Sequence, residues 1–177
     1  MKTINLLFCI AMMFAFLTGT AVAEPRNGFG LNAGVASHNR ECGGCIGSST
    51  SGLSLGIDYQ FALSDKWSIS PFLMTSGESV KNVSDVTAGH GILGAQLRYW
   101  AGSVFFGGHV GSYSEVLREN SVSLNGSGGG AGLVAGWEKP DGGLYVMGQF
   151  DSATVAYSGL ADVKFTAFRL SGGYRWK

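Results

Sequence analysis

The sequence has no excess of charge of either sign, with 12 basic and 12 acidic residues, so it offers no electrostatic drive toward nucleic acid. It lacks a Gly-X-Y period although it holds 29 glycines in 177 residues, which excludes a collagen-like rod. Those glycines also argue against long helices or a coiled coil, because each costs a helix roughly 1 kcal/mol. Cysteine and proline are scarce, at three each. After the N-terminal segment no stretch approaches the ~18 continuous apolar residues of a membrane-crossing helix. By length the chain is a single domain.

What is present begins with an export signal. Lys2 supplies a positive start, Leu6 to Phe16 an apolar run, and Ala21-Val22-Ala23 a small-residue cleavage site before Glu24. The run is shorter than the ~20 residues a spanning helix needs. Residues 1–23 are therefore expected to be removed, Cys9 with them, leaving a domain of residues 24–177.

From Gly28 onward apolar residues recur at every second position, the period of a strand whose successive side chains point to opposite faces. Phe29, Leu31, Ala33 and Val35 share one face, and Leu53, Leu55, Ile57, Tyr59 and Phe61 share the next. Six further segments follow, with apolar faces centred on Ile69 and Leu73, Leu93 and Leu97, Phe106 and Val110, Leu133 and Trp137, Leu144 and Val146, and Phe168 and Leu170. The contrast is weakest in the fifth, where Phe105, His109 and Tyr113 occupy the other face. Pro71 sits inside the third and cannot donate to a sheet ladder, which predicts a bulge, a kink or a shorter strand there.

The connections alternate in kind. Residues 63–66, Ala101-Gly102 and Pro140-Asp141-Gly142-Gly143 are tight turns. Longer polar segments at residues 38–50, 76–86, 115–129 and 157–162 separate the other pairs. Eight antiparallel strands with short turns at one end and longer loops at the other are the layout of an up-and-down transmembrane β-barrel.

Alternation alone does not say which face meets lipid, since a soluble barrel has the same period with its apolar side inward. Three features point to an outward apolar face. No charge falls on the apolar faces, whereas the opposite faces carry Asp58, Lys66, Arg98, His109, Glu138, Asp151, Arg169 and Arg175. Aromatic residues gather toward the short-turn end: Tyr59, Phe61, Trp67, Tyr99, Trp100, Trp137, Tyr174 and Trp176. Such rings suit a membrane interface. The polar faces are crowded with Gly, Ser and Gln, which suit a narrow interior. Eight strands leave room for side chains and no wide channel. Enclosed charges must pair, so Asp58, Glu138 and Asp151 are expected to share one network with Arg98, Arg169 and Arg175.

With this pattern the chain resembles the small eight-stranded outer-membrane barrels, the OmpX-like and opacity-type surface proteins and the OmpA-type transmembrane domain, over residues 27–177. Members end in a signal for the barrel-assembly machinery, and here Arg169, Tyr174 and Trp176 stand at suitable spacing. Ser171 stands where that signal carries Gly, and Lys177 follows the last aromatic. The resemblance implies a monomer in a Gram-negative outer membrane. It also implies contact with outer-membrane lipid and lipopolysaccharide, assembly by that machinery, and loops open to a host or environmental surface ligand.

The remaining chemistry is sparse. Cys42-Gly43-Gly44-Cys45 reads as a local disulfide formed in an oxidising compartment. The redox reading wants a helix N-terminus after the motif. A metal site of both thiolates with His38 lacks a fourth ligand. Lipid A deacylases resemble a His-X-Ser pattern that does not follow His38, His90 or His109. A palmitoyl-transfer site could draw on His38 or His90 with Ser84 and Asp85, though nothing in their spacing requires it. His109 is expected inside the barrel and His90 at its rim. The expectation is therefore no enzyme activity, no cofactor and no metal, with a role in envelope structure and surface interaction. A lipid-modifying enzyme, a small hydrophobic-solute conduit and a secreted soluble barrel stand as alternatives.

Overall fold

The computed structural model describes residues 26–42, 48–79, 86–119, 122–139, 142–157 and 162–177. The expected signal segment lies outside them. Eight strands follow one another: β1 (Gly28–Cys42), β2 (Ser48–Ala62), β3 (Trp67–Ser79), β4 (Val86–Ala101), β5 (Val104–Glu119), β6 (Val122–Glu138), β7 (Gly143–Tyr157) and β8 (Val163–Trp176). Each pairs antiparallel with its neighbours, and β8 returns to β1 from Phe29↔Trp176 to Cys42↔Val163, closing a barrel. Closure leaves no free sheet edge to template aggregation.

The register fixes the barrel's shape. Following partners once around from Gly30 through Asp58, Phe72, Gly94, Gly111, Gly130, Ala153 and Phe165 returns to β1 at Arg40, ten residues further along. Eight strands with that stagger tilt by roughly 40° around a barrel of radius roughly 8 Å. The interior is then just wide enough to be filled by side chains.

The short-turn end is built by local chemistry. Gly102 adopts φ 65° between β4 and β5, a left-handed conformation that costs glycine nothing. The β2–β3 turn is tied by Leu63 N–H donating to the Trp67 carbonyl at 2.8 Å. Lys66 lies exposed in this turn, not on the interior face the alternation gave it. At Pro71 there is no bulge. Pairing of β3 with β4 runs through Pro71↔Ala95 without a break, while the β2–β3 ladder lapses between Asp58↔Phe72 and Phe61↔Ile69 and resumes in the same register. The ring nitrogen costs the ladder hydrogen bonds on the β2 side alone.

The opposite end departs most from expectation. Strands extend from both sides into three of the segments read as long loops, and the Glu115–Gly126 pair lies inside the β5–β6 ladder, which runs on to Glu119↔Val122. The pairing persists there because backbone hydrogen bonds do not require hydrophobic contrast.

Outward side chains form an apolar band. Leu31, Leu55, Ile57, Leu97, Leu133 and Leu170 are each at least 40% exposed, an arrangement that fits a hydrocarbon surrounding and not water. The band stops at Val35, Leu53, Leu73, Leu93, Val110, Leu133, Phe150 and Phe168, one residue on each strand. Beyond them the outward positions turn polar, as with Ser37, Asn39 and Glu41 on β1, Thr75 and Gly77 on β3, and Ser152 and Thr154 on β7. At the short-turn end it is bordered by aromatic rings. Tyr59 packs on Phe61 with centroids 4.6 Å apart, Trp67 on Tyr99 at 5.1 Å, Tyr99 on Phe106 at 5.1 Å, and Tyr174 on Trp176 at 4.9 Å. Trp137 is exposed on the same face, and Phe29 joins through Trp176 at 6.0 Å. Trp100 does not belong to this girdle. Its position alternates inward, it is buried, and its Nε1–H donates to Ser68 Oγ at 2.9 Å.

Candidate functional site

The interior is where the chemistry lies, and it is arranged in three levels. At the short-turn end, Asp58 Oδ2 stands 3.0 Å from Arg175 Nη2 and 3.4 Å from Arg98 Nη2. Arg175 Nε also donates to Glu138 Oε2 at 3.0 Å. Arg98 is enclosed further by the side-chain carbonyls of Gln60 at 2.9 Å and Gln96 at 2.8 Å and by the Phe105 ring, whose centroid lies 4.9 Å from its guanidinium. Gly30 makes this packing fit. A Cβ there would come within 2.4 Å of Asp58 Oδ1.

The middle level turns on Asp151, fully buried. Its carboxylate pairs with Arg169 and accepts from Gln149 Nε2 at 2.9 Å and the Tyr113 hydroxyl at 2.9 Å, with His109 Nε2 at 2.7 Å. Phe72 meets the His109 ring edge-on at 5.5 Å. The six expected network residues are therefore all interior, but they fall into two groups and not one. Arg98 and Arg175 surround Asp58 and Glu138, while Arg169 belongs to Asp151. The register separates them, because Asp151 opposes Gly132 on β6 whereas Glu138 opposes Tyr145 near the turn.

The third level was not anticipated. It sits just past the edge of the apolar band and unites residues from seven strands. His38 and His90 stack with ring centroids 4.3 Å apart, and Phe165 covers both at 5.1 and 4.9 Å. Glu78 faces His38 Nδ1 through Oε1 and accepts from the Thr50 hydroxyl through Oε2. Arg40 Nε donates to Glu115 Oε1 at 2.5 Å, Nη1 to Thr50 Oγ1 at 3.0 Å, and Nη2 lies 2.7 Å from His90 Nε2. The Tyr157 hydroxyl donates to the other Glu115 oxygen. Arg169 Nη2 reaches up to His38 Nε2 at 3.2 Å, linking this level to the one below. His90 is thus an interior residue, 4% exposed, and not a rim residue. The alternation carried past Val35 and Leu93 would have placed His38 and His90 inside, but the weak contrast there hid it.

Apolar side chains fill the space between the charged groups. Phe72, Met74, Ile92, Trp100, Phe105, Tyr113, Val134, Tyr145, Met147 and Phe165 form one buried cluster through the levels. The interior is consequently a packed core, mixed in polarity, and not a polar lumen. Cys42 ends β1, whereas Cys45, its expected disulfide partner, lies outside the described residues, as do Ser84 and Asp85.

No family model matches the sequence, and no curated protein matches it. The fold is similar to the crystal structure of Ail, the attachment invasion locus protein of Yersinia pestis, at 17% identity over 85% of this chain and 99% of that one, with a TM-score of 0.57. The same protein in complex with the heparin analogue sucrose octasulfate matches at 18% identity over 85% of this chain and 99% of that one, with a TM-score of 0.58. Neisserial surface protein A matches at 11% identity over 84% of this chain and 97% of that one, with a TM-score of 0.59. The fold is that of the small eight-stranded outer-membrane β-barrels.

Proposed function

We propose that this chain is a closed barrel of the Gram-negative outer membrane that acts as a structural and surface-interaction protein, without transport or catalysis. The observation that carries the reading is the packed interior. Three levels of buried charged groups separated by aromatic rings fill the described interior of a barrel of this radius and leave no aqueous path through it. The apolar band and aromatic border support residence in lipid, entered after cleavage of residues 1–23 and assembly from the periplasmic side. On this reading the short turns and both ends of the barrel domain face the periplasm, and the polar strand extensions stand among lipopolysaccharide sugars.

A role in surface recognition is favoured by one feature. The strands run past the apolar band and carry Ser, Thr and Asn outward together with Glu41, Arg118 and Lys164, forming a rigid polar collar suited to presenting loops. Ail bears an attachment function in its name and was crystallised with a heparin analogue; for this chain a surface ligand is a proposal resting on the collar.

The test combines fractionation with electrical recording. The protein should partition with outer membranes, migrate as a heat-modifiable band, and show no large stable conductance steps in planar bilayers. Large reproducible steps would contradict the packed interior. Grafting the three loops after β1, β3 and β5 onto an inert barrel should transfer any surface binding the intact protein has, and failure to transfer it would remove the recognition role.

A further inference from the structure

Among the described residues the buried charges of the interior do not balance, and the imbalance falls at one level. At the first level Asp58 and Glu138 meet Arg98 and Arg175, and at the second Asp151 meets Arg169. At the third, Glu78 and Glu115 share Arg40 as the one guanidinium that pairs with them among the described residues. With neutral histidines this level holds one negative charge in excess, enclosed where an uncompensated charge is costly. Facing Glu78 there are two imidazoles. One donor atom each of His38, Glu78 and His90 lies within 4.8 Å of the others, and all three side chains are buried. They come from β1, β3 and β4, so the barrel's closure, and not a local loop, assembles them.

We propose that His38, Glu78 and His90 form a binding site for a first-row divalent transition-metal ion, with Zn²⁺ as the reference ion. Two imidazoles and one carboxylate are the donor set such ions take, whereas Mg²⁺ and Ca²⁺ favour all-oxygen sites. Three protein ligands leave a fourth position for water. The surroundings supply the outer support such ligands need. With Nδ1 facing the ion, His38 Nε2 carries the proton and donates it as a hydrogen bond to Ser76 Oγ, 3.3 Å away, so Arg169 Nη2 gives up its 3.2 Å contact with that nitrogen while Nη1 stays on Asp151. Phe165 holds both rings from one side. Arg40 Nη2 gives up His90 Nε2 on loading and stays anchored through Nε to Glu115 and Nη1 to Thr50. The bound cation reverses the excess charge of this level and ties three strands together beyond the lipid.

The experiment uses the full barrel domain folded in detergent micelles, stripped with EDTA and titrated calorimetrically with ZnCl₂. One Zn²⁺ is expected per chain, undisturbed by millimolar Mg²⁺, together with a rise in unfolding temperature that grows with free Zn²⁺. Glu78→Gln, almost identical in shape, and His90→Gln should each weaken binding at least about tenfold, the lower end of losses at metal sites. His109→Gln and the Cys42→Ser/Cys45→Ser variant should bind as the parent does. Should Glu78→Gln fail to fold, imidazole nitrogen shifts in the unaltered protein decide: His38 and His90 move on adding Zn²⁺ while His109 does not. Absent saturable binding, binding that survives Glu78→Gln, loss in the cysteine variant, or shifts at all three histidines or at none would each overturn the proposal.

Discussion

Asp58 is the most informative residue to remove. Its carboxylate, 6% exposed, stands between two guanidiniums at 3.0 and 3.4 Å. Asp58→Ala would leave Arg98 and Arg175 facing one another with Glu138 as their one remaining acid partner among the described residues. An effective dielectric of ~20 makes each lost attraction worth about 5 kcal/mol at these separations, and relief of carboxylate desolvation returns part of the total. The expected net loss is about 3 to 5 kcal/mol, the range for breaking one side of a buried pair. Removing a second charge should recover stability. Arg98→Met alone is also costly, because Gln60 and Gln96 lose their donor. The double variant should nonetheless be more stable than the sum of the two singles by about 1 to 3 kcal/mol. Reversible urea unfolding in lipid vesicles, followed by tryptophan fluorescence and by the gel shift of the folded band, measures all three. A loss below about 1 kcal/mol for Asp58→Ala, or strict additivity, would refute the network as the element holding the barrel closed.

Two further outcomes follow from the same geometry. Leu97→Arg, within the apolar band, should cost about 2 to 4 kcal/mol, whereas Thr87→Arg on the same face of β4 but past the band should cost about 0 to 1 kcal/mol; the same vesicle unfolding assay separates them, and equal costs would misplace the edge of the band. Gly30→Ala puts a methyl where Asp58 Oδ1 and Arg175 now stand and should lower stability by about 1 to 3 kcal/mol through overpacking, an added cost that should shrink in the Asp58→Ala chain, where the clashing carboxylate is gone, and unfolding of the single and double variants checks it.

The strand pattern was legible wherever one face touches hydrocarbon. Leu55, Ile57 and Leu97 alternate with Gly56, Asp58 and Gln96 because two different solvents act on the two faces, and the sequence records that difference. Past Leu53, Leu73 and Val110 both faces are polar, the record fades, and paired strands read as loops. That is why Glu115, opposite Gly126 in the β5–β6 ladder, passed for a loop residue. Trp100 was grouped with the girdle by its nearness to the turn, although its parity, one step from Tyr99, already pointed inward. The level at which a charge sits depends on the stagger of ten residues around the barrel, a quantity no single strand contains. Hence Arg169 could be assigned to the interior but not to Asp151, and the grouping of His38, Glu78 and His90 from three strands left no local signature at all.

The central claim is that the face bearing Leu55, Ile57 and Leu97 meets acyl chains. Nitroxide labels placed singly at these positions, and at Gln60 and Gln96 for comparison, can be probed in lipid vesicles with oxygen and with a water-soluble nickel chelate. The three outward labels should be relaxed strongly by oxygen and hardly by the chelate, while the two inward labels are reached poorly by both. Strong relaxation of the Leu55, Ile57 and Leu97 labels by the chelate would mean that this face meets water, and the barrel would be a soluble one with its sides reversed.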